Sequence, residues 1–152
     1  ADELYAIHQY MYFHFHCDDQ GYDLLAALFK RTAIEEMLHI ERIAERILFL
    51  KGDVILKASA EVDPIQDVQA MLEFGVKSEQ QAVKDYNLWA NECAQNADSA
   101  SKKAFEDLVT DEERHFDQFD TELENIAKFG ERYLALQSIE RSKTRAAGAP
   151  AE

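Results

Sequence analysis

Proline and glycine are nearly missing from this chain, two and five among 152 residues. Such sparse punctuation leaves the backbone few places to turn, which excludes folds made of many short strands and tight turns. Cysteine is scarce too: Cys17 and Cys93 lie far apart and in no metal-ligand spacing. Neither a disulfide framework nor a thiolate–metal site is expected, and a cytoplasmic location is. Bases are few, 16 against 30 acids, for a net charge of -14. That balance argues against nucleic acid or an anionic membrane as partner and suits a protein that attracts cations. No apolar run reaches the eighteen or so residues of a membrane span, and no signal peptide is visible.

What is present is helical periodicity on a chain that is 47% hydrophobic, enough for one domain with a sizeable core. The few breaks divide it. DDQG (Asp18 to Gly21) ends a first helix, and Gly52 reads as the C′ residue of a second. Asp63-Pro64 reads as an N-cap with proline at the first helical position, and NADS (Asn96 to Ser99) as a turn with a fresh N-cap. These signals predict helices over 1–18, 22–51, 64–96 and 99–129, with a short fifth from Glu131 to Arg141. The fold class is therefore all-α: a four-helix bundle with a long crossover between helices two and three. VILKASAEV (Val54 to Val62) is the one β-like patch and reads better as that crossover. The domain spans 1–141, and the polar, small-residue segment 142–152 reads as a flexible tail. Residue 1 already reads as helix, so the chain is expected to begin inside a helix with earlier turns missing. Helix one is apolar almost all round (Leu4, Tyr5, Ile7, Tyr10, Met11, Tyr12, Phe13, Phe15), which implies burial on both sides, the second against another subunit.

The stretch EEMLHIERIAERILFL (Glu35 to Leu50) puts Glu36 and His39 on its buried stripe. An ionised carboxylate there costs several kcal/mol unless something pairs with it. TDEERHFDQF repeats the pattern with Glu112 and His115, 76 residues on. Thirty-three residues upstream of each ExxH glutamate stands another, Glu3 and Glu79, again 76 apart. Tyr10 and Tyr86 follow those by seven. The chain is thus an internal repeat of a helical hairpin, seen in its polar core positions. Residues i and i+3 share a helix face, so each ExxH offers a carboxylate and an imidazole to one point. Two such helices and two single-glutamate helices gather four carboxylates and two imidazoles at one level. Four carboxylates cannot stay ionised together in an apolar interior unless cations neutralise them, and two divalent metals would do so. The mostly hard oxygen donors suit iron or manganese, with zinc as a competitor. Glu3, Glu36, His39, Glu79, Glu112 and His115 are thus the candidate metal-ligating and catalytic residues. Tyr10 and Tyr86 are either core residues hydrogen-bonded to those carboxylates or redox-active groups.

With EEMLH and DEERH in this spacing, the chain resembles the bacterioferritins over nearly its whole length. That resemblance implies a ferritin-like bundle with a di-iron ferroxidase centre. Glu3 and His39 would hold one iron, Glu79 and His115 the other, and Glu36 and Glu112 would bridge. It further implies oxidation of Fe(II) by O2 or H2O2 and storage of ferric mineral in a hollow shell of about twenty-four identical chains. It implies release of that iron by a ferredoxin-type reductant. Met37, a third of a turn from Glu36, matches the residue that ligates haem in the family. The haem, b or a related iron porphyrin, would be shared between two chains on a two-fold axis, in a pocket lined by Leu4, Ile7, His8, Met11 and Ile34. The fifth helix, GERYLALQSIERS, also matches. Arg31 departs from the family at a cavity-facing position where an acid or histidine would help iron inward; Glu35 and Asp117 are the acids expected on that face. Two alternatives stand beside this reading: a peroxide-reducing di-iron protein of the rubrerythrin type without storage, and a haem-binding structural bundle without oxidase activity.

Overall fold

The computed structural model describes residues 1–130, 132–136 and 139. Four long helices account for most of them: α1 Asp2–Asp19, α2 Asp23–Phe49, α3 Val68–Gln95 and α4 Ser99–Phe129. Helical turns continue over 132–136, where the fifth helix is expected, and no strand occurs among the described residues. The expected tail, 142–152, lies outside them. α1 packs on α2 and α3 on α4 as two antiparallel hairpins, joined through α2·α4 and α1·α3. None of these helices is long and apolar enough to cross a membrane.

The crossover runs the length of the bundle, and its contacts trace the climb. The Ser59 amide reaches the Ala1 carbonyl at 3.2 Å. Further up, Asp63 is held by Gln9 at both its amide and its carbonyl and accepts from the Tyr5 hydroxyl at 3.0 Å. Gln20, just past the end of α1, donates to the Gln66 carbonyl. α3 therefore starts at the same end of the bundle as α2.

Two boundaries differ from the sequence reading. α3 begins at Val68, not Pro64, because Asp67 is its N-cap and accepts from the Ala70 amide. Asp63 is committed to α1 instead, and Pro64 sits in a tight turn closed by the Ile65 amide on the Asp63 carbonyl. At the end of α2 the left-handed residue is Lys51 (φ 66°), not Gly52. Gly52 donates to Ile47 and Lys51 to Leu48, the paired bonds of a Schellman motif. Gly52 is still required, since a Cβ there would lie 2.8 Å from Ile47 Cγ2.

One end of the bundle is filled by Tyr10, Phe13, Leu25, Phe29, Met71, Leu72 and Phe119, all essentially inaccessible to solvent. Each such side chain contributes about 1.5–3 kcal/mol of burial. Gly75 lets α3 approach α4 here, because a Cβ would stand 2.7 Å from the Phe119 ring. The other end holds the ring cluster Tyr86, Trp89 and Phe105. Between the two lies a layer of buried charge.

Candidate metal centre

Each helix sends one or two polar side chains into that layer. α2 supplies Glu36 and His39, α4 supplies Glu112 and His115, and α3 supplies Glu79; all five are at least 97% buried. α1 supplies Glu3, which is half-buried. Two overlapping groups result: Glu3, Glu36, His39 and Glu112, and Glu36, Glu79, Glu112 and His115. Within each group the donor atoms lie within 4.8 Å of one another. Glu36 and Glu112 belong to both.

The imidazoles face inward through Nδ1. His39 Nδ1 is 2.8 Å from Glu36 Oε2 and 2.9 Å from Glu112 Oε1. His115 Nδ1 is 2.9 Å from Glu36 Oε1 and 3.3 Å from Glu112 Oε2. Glu36 Oε1 and Glu112 Oε1 nonetheless have no hydrogen-bond partner, because these close approaches lack hydrogen-bond alignment. Two buried carboxylate oxygens left short of donors are what a cation between them would satisfy. The residues present therefore fit a pair of divalent ions, with oxygen donors in the majority and one nitrogen for each.

The electrostatics point the same way. Burial works to raise the Glu36 and Glu112 carboxyls, but the close His115 and His39 imidazoles outweigh it and hold both below the usual range. Burial would lower the histidines, yet the facing Glu112 and Glu36 carboxylates push His39 up to about 9 and raise His115 as well. Glu3 and Glu79 go the other way, raised well above a normal carboxyl first by burial and then by the neighbouring acids. These opposed shifts favour protons on the two imidazoles and on Glu3 and Glu79 wherever no cation neutralises the acids. Those are the protons that metal ions would replace.

The two tyrosines part company. Tyr10 is fully buried and its hydroxyl donates to Glu79. Tyr86 stacks on Phe105 and lines, with Glu3 and Trp89, a cavity of about 190 Å³. A larger cavity of about 500 Å³ between α1 and α3 reaches Glu3, Glu36, Glu79 and Glu112.

Met37 stands outside the layer, 53% exposed, with Ile34 also exposed on the same helix face. On the neighbouring α1, Leu4, Ile7 and Met11 are half-buried and His8 is exposed. Arg31 and Asp117 line a shallow cavity with Gln118, Thr121 and Glu122 on the α2–α4 face.

Three residues at the centre escaped the sequence reading in their structural roles. Glu35, expected only as a cavity acid, sits 2.6 Å from His115 Nε2. Asp111 stands 3.4 Å from His39 Nε2. Each imidazole thus has a carboxylate facing its outer nitrogen, hydrogen-bonded in the His115–Glu35 pair and at ion-pair distance in the His39–Asp111 pair, which favours one ring orientation. The signal was available: each is the acid just before an ExxH glutamate, and the two are 76 residues apart. The third is Arg114, which pairs with both of them.

The sequence compares with known proteins as follows. The family model described as a ferritin-like domain matches residues 1–129. Bacterioferritin from Desulfovibrio desulfuricans is 34% identical over 135 residues, covering 89% of this chain and 75% of that protein. Bacterioferritin from Brucella melitensis is 35% identical, with coverages of 85% and 80%. Bacterioferritin from Rhodobacter capsulatus is 36% identical, with coverages of 88% and 83%.

Proposed function

Given that this chain belongs to the bacterioferritin family, we propose that it stores iron, oxidising Fe(II) as substrate at the buried centre and holding the ferric product inside a hollow shell. The observation that carries the reading is the pair of overlapping donor groups sharing Glu36 and Glu112. In this reading Glu3 and His39 bind one ferrous ion, Glu79 and His115 the other, and the two shared carboxylates bridge. With peroxide, two Fe(II) each lose one electron and H2O2 takes up two electrons and two protons to give two waters. With O2 as oxidant, two Fe(II) yield one H2O2.

The side chains do the positioning. Glu35 accepts from the outer nitrogen of His115 and Asp111 faces that of His39, so that Nδ1 is favoured inward. Tyr10 fixes the buried Glu79 carboxyl. The carboxyls and imidazoles that are protonated without metal release their protons inside the layer, where reduction of the oxidant consumes protons.

The apolar face carrying Met37 and Ile34 suits a second copy of the chain and a haem between the two. Met37 would hold the haem iron through its neutral thioether, with Leu4, Ile7, His8 and Met11 beside the ring. The group would supply one-electron chemistry at the shell wall, with a ferredoxin-type protein as electron donor for iron release. About twenty-four chains built from such pairs would close the shell. Ancestry shared with the bacterioferritins over most of the chain favours storage over a peroxide-reducing protein without a store.

The test is rapid mixing of metal-free protein with Fe(II) and oxidant, following ferric absorbance. A fast phase saturating near two irons per chain, lost in Glu36→Ala, is expected, with a slower phase beyond it reporting storage. Oxidation at only the uncatalysed rate would contradict the proposal.

A further inference from the structure

The two outer carboxylates converge on one side chain. Arg114 Nη1 lies 2.9 Å from Glu35 Oε2, the oxygen that also meets His115 Nε2. Arg114 Nη2 lies 3.2 Å from Asp111 Oδ1, while Asp111 Oδ2 faces His39 Nε2. A continuous path therefore runs His115–Glu35–Arg114–Asp111–His39, crossing between α4 and α2 three times. It closes over the layer from outside and touches both imidazoles. The link is absent from the repeat: the residue equivalent to Arg114 in the first hairpin is Leu38, 52% exposed. A single guanidinium thus does for both histidines what the two-fold pattern would otherwise leave to separate halves.

We propose that Arg114 is a positioning residue that couples the two metal positions by bracing Glu35 and Asp111 at once, a claim that rests on reading the layer as a two-metal centre. The planar fork of arginine is what makes this possible. It presents two N–H groups in fixed relation, where a lysine would offer one point of charge. By drawing on both carboxylates, Arg114 limits how strongly each pulls on its imidazole N–H. By holding them, it keeps both rings from turning.

Co(II) is the probe, because it needs no oxidant and its visible bands report ligand geometry. Metal-free protein is titrated with Co(II), and the unaltered chain is expected to take up two equivalents. Arg114→Gln should weaken both by about tenfold and shift both sets of bands, the scale of a lost partner behind a metal ligand. Glu35→Gln and Asp111→Asn should each weaken one equivalent only. Arg114→Lys should restore no more than one. Helical circular dichroism and melting temperature, followed in parallel, separate this from unfolding. If Arg114→Gln leaves both equivalents and their bands unchanged, or weakens only one, the coupling is overturned and Arg114 is an ordinary ion pair. If the unaltered chain binds no Co(II) at the buried layer, the two-metal reading itself fails, and this is evident before any variant is made.

Discussion

The two hairpins carry matching inward-facing residues and different outer surfaces. Glu3, Tyr10, Glu36 and His39 in the first match Glu79, Tyr86, Glu112 and His115 in the second, and Glu35 matches Asp111. Even the turns agree, with Gly21 and Ala97 both at positive φ and both closed by paired Schellman bonds. Facing outward, the agreement ends. Between glutamate and histidine α2 has Met37-Leu38 and α4 has Glu113-Arg114. Phe15, Ile34, Met37, Leu38, Leu48 and Phe49 leave the first hairpin strongly apolar on its exposed side. The repeat is retained among the inward-facing acids and histidines, where the proposed pair of ions would demand equal donors, and is lost on the exposed faces. Apolar α1–α2 surface suits burial against a second chain.

The largest expected effects break the equality at its shared members. Glu36→Ala or Glu112→Ala should abolish both metal positions, whereas Glu3→Ala or Glu79→Ala should leave one; equilibrium dialysis with Fe(II) under anaerobic conditions counts the ions. Next comes pH. His39 stays protonated up to about 9, so below that pH each ion must displace a proton. Affinity should then rise with pH, by about tenfold per unit for each proton displaced. His115 has four carboxylates within reach, at 2.6, 2.9, 3.3 and 3.7 Å. Its position should therefore fill at higher pH than that of His39. Calorimetric titration in buffers of different ionisation enthalpy reads the proton release.

Packing gives the next effect. Gly75→Ala pushes a methyl against Phe119 and should destabilise the α3–α4 hairpin by about 1–3 kcal/mol, measured by urea unfolding. A comparable effect, with the smallest one beside it, sharpens the inequality between the two tyrosines. Tyr10→Phe removes the hydroxyl that meets Glu79 and should cost about 1–3 kcal/mol. Tyr86→Phe, in a stack beside half-buried Glu3, should cost less under the same urea conditions.

Much of this was legible in the sequence because helices speak through period. Heptad-like apolar stripes located four helices to within a few residues, and two glutamates and two ExxH pairs on those stripes gave the buried set. What was not legible depended on competition between neighbours. Asp63-Pro64 has the chemistry of a helix start, but Gln9 and Tyr5 claim Asp63 from 54 and 58 residues away, and Asp67 takes the cap. Glycine is the expected left-handed residue after α2, yet the pairing geometry put Lys51 there and used Gly52 for its missing Cβ. Glu35 and Asp111 were visible as repeated acids. Their partners were not, since each reaches a histidine on the other hairpin.

The most direct test is anomalous diffraction from crystals grown metal-free and soaked anaerobically in Fe(II). Two peaks should appear in the buried layer, one beside His39 Nδ1 and one beside His115 Nδ1, with Glu36 and Glu112 spanning both. A single peak, or iron bound only at surface acids while the layer keeps its protons, would contradict the account.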